Sequence, residues 1–293
     1  MKISIITPSY NQVGFLEKAI LSVWNQKGDF DLEHIVADGG STDGSLEILR
    51  KYDDLYRKGQ FKHSCRSFSF SWWHGRDNGQ SDAINTGFAA SKGEILGWLN
   101  SDDIYLSPGS LAALQQPFLD DRADIAVGNG YHIGEHDNIL KKPCLINLLT
   151  DQDLQQRLNS LICYDFILQP ATLFRREVWL RCPLDESCHF TMDWVFWIEA
   201  NRKEFRFSKI DFYAAGNRLH EEAKTVKGGI GKYREALKLF RRYDVWCMNR
   251  IYYFLYLILL CGKKVPLLNH LISPLIHLGK KVRNFIVNRF RLY

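Results

Sequence analysis

The sequence predicts an α/β protein: a Rossmann-like, mainly parallel sheet flanked by helices, followed by a C-terminal helical extension. Three observations predict it. Short apolar, β-branched runs alternate with segments whose apolar residues recur at helical spacing, the pattern of right-handed β-α-β crossovers. Polar, glycine-rich stretches stand where the strands end: PSYN (8–11), DGGSTDG (38–44), GRDNGQSD (75–82) and NSDD (100–103). Beyond residue 227 the chain turns basic and aromatic.

Taken in order, residues 2–7 form an apolar run closed by Pro8-Ser9-Tyr10-Asn11. Phe15, Ala19, Ile20, Val23 and Trp24 then recur at helical spacing, and Gly28-Asp29 is read as the end of that helix. Residues 32–37 predict the second strand. Asp43 or Ser45 is placed to cap the following helix, which carries Leu46, Ile48 and Leu49. Residues 68–73 predict a third strand, and residues 81–91 a helix with Ala83, Ile84, Gly87, Phe88 and Ala90 on one face. The run Ile95-Leu96-Gly97-Trp98-Leu99 predicts a strand buried on both faces. A helix over 110–119 and a strand over 124–127 follow. His132-Ile133-Gly134 and Asp137-Asn138 predict a hairpin. Pro170 predicts an extended Gln169, with a short helix after it around 177–180 and another carrying Val195, Phe196, Ile198 and Ala200.

The chain has 293 residues, of which 46% are hydrophobic and 24% charged, enough for a packed core in one large α/β domain with an appendage. Seven cysteines form no C-x-x-C pair and no zinc pattern, so they are read as reduced thiols of a cytosolic protein. No signal-peptide pattern opens the sequence, and the longest apolar run, residues 251–261, is too short to span a bilayer. Of 38 Lys/Arg and 33 Asp/Glu, ten and one lie from Arg241 onward, leaving 28 and 32 before it. A body near −4 and a tail near +9 imply an anionic partner for the tail.

In an open α/β sheet, ligands bind outside the carboxyl ends of the strands. No G-x-G-x-x-G follows the first strand, no GxxxxGK[ST] occurs, and Gly128-Asn129-Gly130 lacks a third glycine, which excludes the common dinucleotide and P-loop sites. The rim is instead rich in Asp and Asn. Adjacent carboxylates such as Asp102 and Asp103 at the end of a buried strand are costly unless paired. A hard divalent cation, Mn2+ or Mg2+, takes oxygen ligands and bridges to a phosphate, so a nucleotide diphosphate held through a metal suits this rim. A solvated turn with helix-capping duty is the bland alternative.

The segments TPSYN (7–11), DGGSTDGS (38–45), DNGQSDAINTG (77–87) and LGWLNSDD (96–103), in this order and spacing, resemble the family-2 inverting glycosyltransferases of the GT-A fold over roughly residues 1–225. The resemblance implies roles by position. Thr7, Pro8, Tyr10 and Asn11 would cradle a nucleotide. Asp38 would accept a hydrogen bond from the base, with Gly40 and Asp43 shaping its loop. Asp77 and Asp82 would contact base, ribose or sugar. Asn100 and Ser101 would lead into the metal ligands Asp102 and Asp103, and Gln169 would face the acceptor. Asp193 matches the catalytic base, ahead of Asp185 and Glu186. In the late loop, His220 would bind metal or diphosphate, and Arg218 and Lys224 would neutralise phosphate. Asn100 and Gly75 stand where relatives often carry Asp and Glu, which leaves the donor sugar open.

The implied function is metal-dependent transfer of a sugar from a nucleotide diphosphate, a UDP-sugar above all, to a glycan or polyprenyl-linked acceptor. The alternative is a non-catalytic nucleotide-sugar-binding protein on the same fold. Residues 1–227 form the predicted catalytic domain, split into a nucleotide half (1–130) and an acceptor half (131–227). Residues 228–293 form the predicted tail, joined through a glycine link at Gly228, Gly229 and Gly231. Its Lys and Arg, mixed with Trp246, Tyr252, Tyr253, Phe254 and Tyr256, fit attachment to an anionic membrane surface, placing the protein on the inner face of the cell membrane. A helical appendage packed on the catalytic domain, or a homo-oligomer interface, is the other use for this tail. Nucleic acid is excluded as a partner by the lack of a groove-reading or stacking module.

Overall fold

The computed structural model describes residues 1–141, 151, 154, 158 and 167–243. The described residues form two compact units, one running through His220 and one beginning at Glu221. In the first unit the strands are β1 (Lys2–Ser9), β2 (Lys27–Asp38), β3 (Ser64–His74), β4 (Ile95–Trp98), β5 (Ile104–Tyr105), β6 (Ile125–Ile133), β7 (Ile139–Lys141), β8 (Thr172–Arg175) and β9 (Phe207–Arg218). They make one sheet in the order β3-β2-β1-β4-β8-β6-β9-β5, with β7 on β6. The first four strands are mutually parallel and alternate with α1 (Val13–Trp24), α2 (Ser45–Arg57) and α3 (Gln80–Ala90). Their carboxyl ends, at Ser9, Asp38, His74 and Trp98, therefore share one rim.

Burial explains these elements. Ile3, Ile5 and Ile6 on β1 are all wholly buried, so the strand reads as a continuous apolar run, as expected with both sheet faces covered. The stripe Leu16, Ala19, Ile20, Val23 and Trp24 buries one side of α1. Under the β4 end, Trp98 stacks on Trp197 at 6.0 Å. Phe174 and Phe196 pack edge-on against Trp98, which seats the helix Met192–Arg202 beside β4 and β8.

Several boundaries differ from the sequence reading. Gly28 and Asp29 do not end the first helix. That helix stops at Trp24, and β2 already begins at Lys27. A Cβ at Gly28 would lie 2.4 Å from the Phe30 ring, so this glycine serves close packing. The single helix over 110–119 is two, Ser110–Leu114 and Gln116–Leu119, because Pro117 has no N–H to continue the first. A strand the sequence reading did not name, β8, lies between β4 and β6 and is antiparallel to both. Gln169 opens a 3-10 turn, Gln169–Ala171, and the extended residue is Leu168. The hairpin forms, with the Gly134 N–H donating to the Asn138 carbonyl at 2.8 Å and Asp137 left-handed at φ 64°.

The second unit holds the helices Lys224–Lys227 and Gly229–Arg242. The expected glycine link is not a linker. Gly229 takes φ 46°, and the second helix starts there. Ala236 and Leu239 are buried, while Arg234, Lys238, Arg241 and Arg242 are exposed. The aromatic stretch from Trp246 onward lies outside the described residues.

Candidate active site at the sheet rim

The loop after β1 is latched to the loop after β2. Asn11 takes a left-handed φ of 52°. Its N–H donates to Ser41 Oγ at 2.8 Å, and its Oδ1 accepts from the Thr42 N–H at 2.8 Å. Asp43 Oδ2 accepts from the N–H of Val13, the first residue of α1, and Asp43 Oδ1 accepts from the Ser45 N–H and hydroxyl. Burial works to raise the Asp43 carboxyl, but these hydrogen bonds outweigh it and hold it below its ordinary value. Tyr10 stands on top, 63% exposed.

Thr7 and Pro8, expected in the cradle, are buried within β1 and form its floor. Thr7 Oγ1 lies 3.0 Å from His34 Nε2, and Trp24 Nε1 lies 3.2 Å from His34 Nδ1. An indole N–H only donates. His34 Nδ1 therefore accepts, and Nε2 carries the proton toward Thr7. Burial pushes the His34 imidazole down to about 3.

Asp38, expected to meet the base, is saturated by its own surroundings. Its Oδ1 accepts from the Gly40 N–H (3.2 Å), the Ser41 N–H (2.9 Å) and His74 Nδ1 (2.7 Å), and its Oδ2 from the Ser41 hydroxyl (2.6 Å). No part of its side chain is exposed, against 37% of His74. Gly40 needs its left-handed φ of 91° for this turn. A Cβ at Gly39 would lie 2.6 Å from Asp77 Oδ2, so the bare backbone there lets the Asp77 carboxylate approach. Asp77 also accepts from the Gly79 N–H. Asp82, in the first turn of α3, accepts from the backbone and side chain of Asn78. Both acids close the 77–82 loop.

The acidic loop after β4 is built differently. Asp103 is 1% exposed and accepts from Asn100 Nδ2 (3.0 Å), Asn217 Nδ2 (3.2 Å) and the Arg218 N–H (2.8 Å). Burial, reinforced by the Asp102 charge, pushes the Asp103 carboxyl well above its ordinary value, against the pull of those hydrogen bonds. Asp102 turns the other way, with Oδ2 3.0 Å from His220 Nε2. Arg218, expected on phosphate, has a wholly buried side chain. It donates to the carbonyls of Asp102, Gly134 and Glu135, pairs with Asp137 at 2.6 Å, and lies over the Phe15 ring. Its guanidinium clamps the acidic loop to the hairpin. Ser101 is buried beside it.

The acceptor side joins through α3. Gln80 Nε2 donates to Asn100 Oδ1 at 2.7 Å. Gln169 Nε2 donates to the Trp98 carbonyl, and Gln169 Oε1 lies 3.4 Å from Asn100 Nδ2. Next to Gln80, the Ser81 hydroxyl contacts Met192 Sδ at 2.9 Å. Asp193 follows Met192 in the first helical turn, half-buried, and accepts from the Trp194 N–H. Asp102, Asp103, His220, Asn100 and Gln169 thus stand together at the end of β4, and Asp193 follows the residue that α3 meets. Lys224 belongs to the second unit, at the start of its first helix. The sequence reading missed His74, Gln80 and Asn217. A histidine closing a strand one loop from a buried Asp was the signal available for the first. The other two become visible only when the strands pair.

Asp102, Asp103 and His220 offer the carboxylate and imidazole donors that Mn2+ and Mg2+ accept. Among the described residues no group of three or more His, Cys, Asp or Glu is arranged to hold a metal ion. A carboxylate and an imidazole meet at 3.0 Å, two of the donors that such an ion would need.

The family described as Glycosyl transferase family 2 matches residues 4–179. The chain belongs to this family. It is 29% identical over 215 residues to the uncharacterized glycosyltransferase EpsJ of Bacillus subtilis, covering 71% of this chain and 58% of EpsJ. It therefore spans little more than half of that relative. Among solved structures it is similar to S. aureus TarS 1-349 in complex with UDP-GlcNAc (TM-score 0.60, 17% identity, 90% of this chain and 73% of that one). It is also similar to the mannosyltransferase PcManGT from Pyrobaculum calidifontis in complex with GDP-Man and Mn2+ (TM-score 0.60, 15% identity, 96% and 79%). These likenesses establish the fold as GT-A.

Proposed function

We propose that this member of family 2 is a metal-dependent, inverting glycosyltransferase that moves a sugar from a UDP-sugar to a glycan or polyprenyl-linked acceptor. The observation that carries the reading is the meeting of Asp102 and His220 at the end of β4; α3 bonds to Asn100 there and meets Met192, the residue before Asp193. TarS and PcManGT, with the same fold, hold UDP-GlcNAc and GDP-Man with Mn2+.

In this reading Tyr10 covers the base, and the latched 10–12 and 38–43 loops hold the nucleoside. Asp102 and His220 hold the ion, with Asp103 behind them. A bound divalent ion offsets the charge gathering on the leaving diphosphate. Asp193 takes the proton of the acceptor hydroxyl as that oxygen attacks the anomeric carbon from the face opposite the diphosphate, which inverts the centre. Gln169 orders the strand end between the two halves. The exposed Arg234, Lys238, Arg241 and Arg242 of the last described helix draw the protein to an anionic membrane surface, where a lipid-linked acceptor resides.

The test is transfer of radiolabelled sugar from a panel of nucleotide sugars with Mn2+. Wild type transfers from a UDP-sugar, and Asp193→Ala loses about 10²–10⁴-fold in rate while still binding UDP. Transfer by Asp193→Ala at the wild-type rate refutes the base. Nucleotide binding without transfer by wild type, whatever the acceptor, favours the non-catalytic alternative. For the membrane, reversing Arg234, Lys238, Arg241 and Arg242 to Glu should release the protein from anionic liposomes, and equal retention refutes attachment.

A further inference from the structure

We propose that His74 reads the base of the donor, presenting Nε2 as a hydrogen-bond acceptor to the imide N–H of uracil. The inference rests on the reading above that the rim binds a uridine diphosphate sugar. It reassigns a role that the family resemblance had given to Asp38.

Asp38 cannot take that role in this geometry. Four donors from the protein occupy its two oxygens, and none of its side chain is exposed. His74 is the member of this cluster that reaches solvent. Ser9, Asp38 and His74 stand in register across β1, β2 and β3, so their side chains leave the same face of the sheet. Asp38 sits between the other two, and His74 grips it at 2.7 Å through Nδ1. A carboxylate whose other partners are all donors is itself an acceptor, so Nδ1 carries a proton. In the neutral ring Nε2 is then the acceptor. Nδ1 is tied to a wholly buried group while 37% of the side chain is exposed, so the ring offers its Nε2 edge outward. Among the described residues nothing is bonded to Nε2.

The surroundings suit a base. Tyr10, the residue after β1, is 63% exposed at the same end of the sheet. Strands lie about 4.8 Å apart, so β1 and β3 are roughly 10 Å apart, room for one pyrimidine over β2. The Asp38–His74 bond fixes the ring, so Nε2 is already oriented and little ordering is needed on binding. Uracil N3–H matches this acceptor. Cytosine carries a bare N3 there, itself an acceptor, and leaves both groups without a partner.

The test is isothermal titration of the full chain with UDP and with CDP, each in the presence of Mn2+. Wild type should bind UDP at least about tenfold tighter than CDP, the cost of one mismatched polar contact. His74→Ala should bring the two affinities within about twofold by weakening UDP alone. His74→Gln, whose amide can donate to Asp38 and accept from uracil, should keep the preference. His74→Lys, which donates but cannot accept, should favour CDP, and it serves if His74→Ala fails to fold. A purely structural histidine would weaken both nucleotides together and leave their ratio unchanged. An unchanged ratio in His74→Ala or His74→Lys, or a wild-type ratio near one, overturns the inference while leaving donor binding intact. If neither nucleotide binds wild type, the donor reading itself falls.

Discussion

The loops after β2 and β4 are both acidic and both stand on the rim, yet their carboxylates do different work. After β2, Asp38 and Asp43 face inward to backbone N–H groups and short hydroxyls of their own loop and of α1. The local turn chemistry that makes Asp common in such loops consumes them. After β4 the work is divided within one dipeptide. Asp103 is buried and bonded by side chains and backbone from distant strands, whereas Asp102 meets His220. An acid at a strand end is thus a ligand only where neighbouring donors have left it some capacity. The first loop is held by its own backbone, the loop after β1 and His74, and the second by Arg218.

Ranked by cost to the fold, Arg218→Met should have the largest effect. It removes a wholly buried guanidinium that joins Asp102, Gly134, Glu135 and Asp137, and it leaves Asp137 without that partner. Leaving the Asp102, Gly134 and Glu135 carbonyls without their charged donor costs about 3–5 kcal/mol in all, and urea unfolding reads it. A loss below about 1 kcal/mol would mean that the second loop is as self-sufficient as the first. Asp38→Ala comes next. Two N–H groups, a hydroxyl and an imidazole lose their acceptor, at a cost of about 2–3 kcal/mol. A loss as large as that for Arg218→Met would erase the contrast between the loops.

The floor of the first loop supplies a pH test. His34 is driven down to about 3 by burial, from an ordinary value of 6.5. Above pH 6.5 neither the folded nor the unfolded chain protonates it. Below that, the unfolded chain takes a proton that the folded chain refuses, so stability falls as pH falls from 6.5 toward 3. The slope from this one group approaches 1.4 kcal/mol per pH unit, close to 2 kcal/mol between pH 7 and pH 5. His34→Gln, which cannot titrate, should flatten that segment of the unfolding profile. An unchanged slope would show that other groups set the acid response.

The sheet core was legible because burial on both faces writes continuous apolar runs, as in residues 2–7 and 95–99, and because α1 and α3 carry stripes at helical spacing. The rim motifs were legible because each sits where such a run ends. What pairs with what was not. Thr172–Arg175 gives four residues of pattern, too few to announce a strand wedged between β4 and β6. Arg218 is assigned to phosphate by the resemblance of residues 218–225 to the family's late loop, which says nothing of burial. Its burial depends on carbonyls and Asp137 in a hairpin some eighty residues earlier. Asp38 and Asp102 both end a strand in an acidic motif, and only the hydrogen bonds around them tell the acid that shapes its loop from the one proposed to bind.

The smallest cost to the fold should come from Asp102→Asn, and it cuts the comparison most finely. The change is isosteric, an Asn Oδ1 can still meet His220, and removing the charge relieves Asp103, whose carboxyl Asp102 pushes up. Stability should therefore change by less than about 0.5 kcal/mol, as for a substitution outside the buried network. Function should respond in the opposite sense. Without the anionic oxygen beside His220, the gain in UDP affinity on adding Mn2+ should disappear, while metal-free UDP binding, carried by the first loop, stays as in wild type. Titrating UDP with and without Mn2+ beside an unfolding curve reads both. Asp103→Asn supplies the converse, because its three partners make it part of the fold: stability should drop by about 1–3 kcal/mol, and binding should weaken with it. If Asp102→Asn instead unfolds the protein while Asp103→Asn does not, the roles of the two carboxylates are exchanged, and the ion sits on the buried side of the loop.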